Sequence, residues 1–130
     1  VTFLDSDDEM LPGHLESMYD YALETESDLV YPWYTVVGSR DPMPRHFGKP
    51  WDPKNPRLTT IVTLCRTEIA QQVGFIQESS RETESGEDWY FIRGINNLGA
   101  KIVHLPKRTW LWHHHGKNSS GLPTKGDAKR

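Results

Sequence analysis

The chain has 130 residues, of which 25% are charged and 35% hydrophobic, with a formal net charge of −3. That length suits one domain able to bury roughly two-thirds of the surface its unfolded chain exposes. The composition excludes a disordered tail and a membrane span, and the acidic balance excludes the broad basic field expected of a nucleic-acid binder.

Residues 1–4, Val1-Thr2-Phe3-Leu4, read as a short buried strand that runs into Asp5-Ser6-Asp7-Asp8. Pro12 suits a first helical turn, and Leu15, Met18, Ala22 and Leu23 follow at helical spacing, so a helix is predicted over 12–26. Residues 28–37, rich in Val, Tyr and Trp, predict a strand. Residues 38–57 hold five prolines and read as a long loop of the functional kind. A strand is expected over 58–64 and a short helix over 66–73, stopped by Gly74.

Cys65 is the sole cysteine, so there is no internal disulfide. It follows the apolar run Ile61-Val62-Thr63-Leu64 and is expected to be a buried small hydrophobe, in a reducing, cytoplasmic compartment. Residues 77–86 read as a polar loop. From Glu87 a helix is predicted, with Trp89, Ile92 and Ile95 or Asn96 on one side and Gly99 beyond its end. A strand over 101–105 is closed by Pro106, and a second, alternating strand follows over 109–115. Residues 1–115 therefore form the predicted domain, and 116–130 a polar, flexible tail. Strands alternate with helices, which favours an α/β layered sheet.

Three clusters carry possible chemistry. Asp5, Asp7 and Asp8 place three carboxylates in four residues at a strand end, where ligands of α/β sheets usually bind. Their mutual repulsion calls for a positive partner, and hard oxygen ligands suit Mg²⁺ or Mn²⁺. The alternative is a helix-capping role for Asp8 and Glu9. Glu87-Asp88 opens a helix, either as an ordinary acidic first turn or with a carboxylate placed as a general base. In Trp110-Leu111-Trp112-His113-His114-His115, strand alternation puts His113 and His115 on one face, and His114 on the other with Trp110 and Trp112. That run is either a pair of metal-reaching imidazoles or a polar strand end.

Taken in order, these stretches resemble the family 2 glycosyltransferases of the GT-A fold. The resemblance rests on Phe3-Leu4-Asp5-Ser6-Asp7-Asp8-Glu9-Met10-Leu11-Pro12-Gly13-His14-Leu15, on Leu64-Cys65-Arg66-Thr67-Glu68 through Val73-Gly74-Phe75, on Gly86-Glu87-Asp88-Trp89, and on residues 99–106 with His113 to Ser119. It implies an Asp-x-Asp pair, with Asp5 near the donor ribose and Asp7 on a Mn²⁺ or Mg²⁺ ion that bridges the diphosphate. Asp8 extends this donor-binding cluster. Asp88 is the implied catalytic base with Glu87 beside it. His115 is the late histidine that completes the metal site, with His113 as second choice. Trp51 and Trp89 are the implied acceptor contacts. The implied reaction is an inverting transfer of a sugar from a nucleotide-diphosphate donor to an acceptor hydroxyl.

In that family, a nucleotide-binding half built of strand–helix repeats precedes the Asp-x-Asp pair. The resemblance thus implies a partial GT-A-like mixed sheet flanked by helices, lacking that half and incomplete or inactive by itself. Residues 1–4 would then leave an open apolar edge, so homo-oligomer formation, or pairing with the missing half, is expected there. The alternative is a non-catalytic glycan- or partner-binding module whose surface carries Trp51, Trp89, Trp110 and Trp112.

Overall fold

A computed structural model describes residues 1–38, 49–56, 59–74 and 87–114. The expected loop over 77–86 and the expected tail over 116–130 lie outside the described residues, as does most of the loop over 38–57.

The described residues form an α/β domain with a mixed sheet of four strands and three helices. The strands are β1 (Glu9–Met10), β2 (Leu29–Val37), β3 (Leu64–Cys65) and β4 (Ile102–His113), in the order β1-β4-β2-β3. The helices are α1 (His14–Thr25), α2 (Thr67–Val73) and α3 (Glu87–Asn97). β2 and β4 run parallel at the centre of the sheet, while β1 pairs antiparallel with β4, and β3 with β2.

β2 is almost continuously buried, as a central strand with both faces covered should be. Its aromatic and β-branched residues pack with Phe91, Ile92 and Ile95 of α3, with Ile61 and Val62, and with Trp110 and Trp112 of β4. α1 turns His14 and Met18 toward the sheet, and both are buried.

β4 differs from the sequence expectation. Pro106 does not separate two strands; one strand of 12 residues runs through it. The reason lies across the ladder, where Pro32 of β2 faces Leu105. Pro32 has no N–H to donate, and the register shifts on both sides of Trp33. Residues 106 and 107 are accommodated in that irregularity, and Arg108 Nη1 donates to the Tyr34 carbonyl at 2.8 Å.

The strand expected over 58–64 is also shorter. Only Leu64–Cys65 pairs with β2, although Thr59, Ile61, Val62 and Thr63 are buried. Cys65 is buried as expected, and burial pushes its thiol up to about 11.

Residues 1–4 do not form a fully buried strand, since Val1 and Leu4 are 43% and 40% exposed. Nor is this segment unpaired. Thr2 bridges Leu64 antiparallel, the Val1 ammonium donates to the Cys65 carbonyl, and Cys65 N–H donates to the Val1 carbonyl. No helix among the described residues is long and apolar enough to cross a membrane.

Candidate functional site

The acidic stretch lies in a crossing. Thr2 sits beyond β3 at one edge of the sheet, and Glu9–Met10 pairs with β4 at the other. Residues 3–8 must therefore pass from one edge to the other. They arrive at the C-terminal end of β4, where Val37 of β2 faces His113. In open α/β sheets, the crevice outside the carboxyl ends of parallel strands is where ligands bind.

The turn is closed by Asp8 N–H donating to the Asp5 carbonyl at 3.0 Å. Its far end is held by the His113 N–H, which donates to Asp8 Oδ1 at 3.0 Å. Glu9 then pairs with Leu111, and its carboxylate lies 3.6 Å from His113 Nε2. Residues a hundred positions apart are thus joined at one corner: the carboxylate cluster and the end of the histidine run.

This arrangement corrects the capping alternative. Asp8 is bonded to β4 and Glu9 lies in β1, so neither caps α1. The cap residue is Gly13, at φ 83°, with no side-chain cap hydrogen bond. His14 N–H donates instead to the Leu11 carbonyl.

Burial pushes the Asp8 carboxyl up to about 6; the His113 N–H opposes this, and repulsion from Asp7 and Asp5 adds to it. Asp5 and Asp7 are exposed. Like charges gathered here with a raised carboxyl are the electrostatic condition that a divalent cation relieves. Among the described residues, no group of three His, Cys, Asp or Glu side chains is close enough to enclose a metal. That is compatible with Mg²⁺-type binding, in which one or two carboxylates share the ion with substrate phosphates instead of forming a closed protein cage. The carboxylates of Asp5 and Asp7 are hard oxygen donors of the type that Mn²⁺ or Mg²⁺ prefers.

A second buried pair fixes the corner from below. His14 Nδ1 lies 2.7 Å from the Thr109 hydroxyl, and the Thr109 carbonyl accepts from Leu11 N–H at 2.9 Å. Burial lowers the pKa of the His14 imidazole, which keeps it neutral. His14 lies in the stretch that carries the family resemblance, but no role was expected for it; its place on the sheet-facing side of an amphipathic helix is the further signal.

The other expected residues are placed as follows. Glu87 and Asp88 open α3, and Trp89 follows, half-buried. α3 is tied to the crossing by Phe91, whose ring meets Phe3 edge-on at 5.5 Å. Asp88 is one helical turn before Phe91, and Asp5 two residues after Phe3. Trp51 is half-buried against the core, edge-on to Tyr31 at 6.3 Å, with Nε1 donating to Asn96 Oδ1 of α3 at 3.3 Å. His115 lies outside the described residues.

Trp110 and Trp112 are 2% and 7% exposed and stack on each other at 6.4 Å. They are core residues, so the glycan-binding surface expected to include them is corrected.

Gly38 closes the corner on the β2 side. It adopts φ 90°, and a Cβ there would lie 2.5 Å from the His114 carbonyl oxygen. Gly38→Ala is expected to cost about 2 kcal/mol of stability through backbone strain and displacement of His114. Urea unfolding would measure it, and an unchanged midpoint would count against this close approach.

A mixed α/β sheet with a carboxylate turn crossing its strand ends is the GT-A type of architecture, and comparisons with solved structures agree. The crystal structure of S. aureus TarS 1-349 in complex with UDP-GlcNAc superimposes with a TM-score of 0.73 at 22% identity, covering 95% of this chain and 37% of that one. TarS 1-349 in complex with UDP gives 0.67 at 22% identity over 88% of this chain and 35% of that one, and S. aureus TarS gives 0.66 at 23% over 88% and 21%. The chain thus spans between about a fifth and little more than a third of the TarS chains it matches. No curated protein sequence matches it.

The chain belongs to glycosyl transferase family 2, whose profile matches residues 1–83. The match is at the N-terminal part of this chain and narrower than the resemblance expected. It takes in Asp5, Asp7 and Asp8 and stops before Glu87-Asp88.

Proposed function

We propose that this chain is the metal-binding and general-base part of an inverting glycosyltransferase, acting on a nucleotide-diphosphate sugar and a hydroxyl acceptor. The observation that carries this reading is the Asp5–Asp8 turn, pinned by the His113 N–H at the carboxyl ends of the parallel strands. In this reading Asp7 would hold the ion, Asp5 would lie on the donor side with Asp8 behind it, and His115, or else His113, would complete the site. A bound Mn²⁺ or Mg²⁺ would neutralise charge on the leaving diphosphate.

Asp88 takes the proton of the acceptor hydroxyl as that oxygen attacks the anomeric carbon. The bond from that carbon to the diphosphate oxygen breaks on the opposite side, inverting the configuration. The start of α3 favours an ionised Asp88, with Glu87 adjoining it. Trp89 and Trp51 contact the acceptor. The chain corresponds in this reading to the catalytic half of a GT-A domain, and turnover requires a nucleotide-binding half as well, because positioning supplies a large part of the rate.

TarS has been crystallised with UDP and UDP-GlcNAc, which makes UDP the nucleotide to try first. Mn²⁺ with UDP is expected to raise the melting temperature, with about 2.7 kcal/mol of stabilisation at a hundredfold excess over Kd. Asp7→Ala should abolish the rise, and Asp88→Asn should keep it. An unshifted wild-type melt, or a shift that survives Asp7→Ala, overturns the proposal.

A further inference from the structure

α1 carries two stripes that the sheet does not use. Leu15, Tyr19 and Leu23 recur every fourth residue and are 48%, 57% and 61% exposed. Glu16, Asp20 and Glu24 are offset from them by one residue and are exposed as well. At 100° per residue the two stripes run side by side along the helix, away from the buried His14 and Met18.

This pattern works against the helix itself. Like charges four residues apart disfavour it, and there is no basic residue in its last turn. Among the described residues, the cations bonded to α1 serve its sheet-facing flank: Lys107 Nζ reaches Ser17 Oγ at 3.0 Å, and Lys101 Nζ reaches the Thr25 carbonyl at 2.6 Å. The apolar stripe and the acidic stripe beside it are left facing outward.

We infer that this face of α1 docks a cationic amphipathic helix of a separate protein, with an apolar ridge against Leu15, Tyr19 and Leu23 and Lys or Arg residues against Glu16, Asp20 and Glu24. Charge selects this occupant. A second copy of α1 would bring acidic stripes together, and an anionic membrane would repel them. A cationic partner desolvates the leucines and tyrosine and neutralises the repulsion among the three carboxylates at once. This surface is independent of the sugar-transfer reading.

The test uses two fluorescently labelled helical peptides with leucines at the same fourfold spacing, one flanked by lysines and one by glutamates. Anisotropy is expected to show binding of the lysine peptide at least tenfold tighter than that of the glutamate peptide. Tyr19→Glu with Leu23→Glu should abolish it. Reversal of all three acids (Glu16→Lys, Asp20→Lys, Glu24→Lys) should switch the preference to the glutamate peptide, with circular dichroism checking that each variant folds.

Equal binding of the two peptides, or no switch on charge reversal, overturns the inference. So does binding to anionic phosphatidylserine vesicles that the Tyr19 and Leu23 changes remove. A self-associated mass in light scattering that falls to monomer with those same changes would assign the face to a second copy instead.

Discussion

Replacing Trp110 with Ala is expected to cost about 3–5 kcal/mol of folding stability. Trp110 is 2% exposed, stacks on Trp112, and meets Tyr34 at 5.5 Å. It also stands in the ladder between Met10 of β1 and Tyr34 of β2, so its loss loosens the strand that follows the acidic turn. The indole Nε1–H is buried without a hydrogen-bond partner. Trp110→Phe removes that unsatisfied donor and should therefore cost much less than the loss of ring area alone suggests. Urea denaturation of both variants would check this. A Phe variant as damaged as the Ala variant would mean that the indole donor is satisfied.

The second large effect depends on pH. His104 lies in an aromatic nest, 4.8 Å from Tyr31 and 5.4 Å from Trp33, with Nε2 buried and unpartnered. Burial pushes it down to about 4. The unfolded chain, with an imidazole near 6.5, binds a proton first as pH falls. The stability that neutral His104 contributes is therefore full above 6.5 and lost between 6.5 and 4, up to about 3 kcal/mol.

Asp8 acts in the opposite sense. Its carboxyl is raised to about 6, so the folded chain takes up that proton first, and stability from it grows as pH falls from 6 to 3.8. The Asp8 contribution opposes that of His104, while His14, whose imidazole burial also holds down, adds to the His104 side, so the wild-type fold should lose stability toward pH 4 less steeply than the two imidazoles alone would make it. His104→Leu removes one arm. It should be more stable relative to wild type at pH 4.5 than at pH 7.5, by about 2 kcal/mol. Urea midpoints across this range would decide it, and parallel profiles for the two proteins would show that His104 titrates normally.

α1, β2, α2 and α3 were readable from apolar spacing, and Gly74 and Gly99 follow the helices they were expected to end. What failed depended on partners distant in the chain. Pro106 was read as a stop because a proline alone breaks a ladder, yet its tolerance is set by Pro32, 74 positions earlier, which opens the same gap. Trp110 and Trp112 were counted as surface in one reading because alternation shows which residues share a face but not which face is covered. The acidic turn was found from composition, but its attachment was not, because the group that holds Asp8 is a backbone N–H, which every residue has. Choosing between His113 and His115 needed more than strand alternation, which puts both on the same face.

The slack in the middle of β4 divides that strand into two lengths that need not stay in step. The half beginning at Ile102 is locked to Leu29 and the domain's foundation, whereas the half ending at His113 carries the corner with Asp8. A residue added or removed at 106–107 would be taken up between them, leaving both ladders aligned while tilting the imidazole end. The geometry of that corner is thus adjustable without rebuilding what lies underneath.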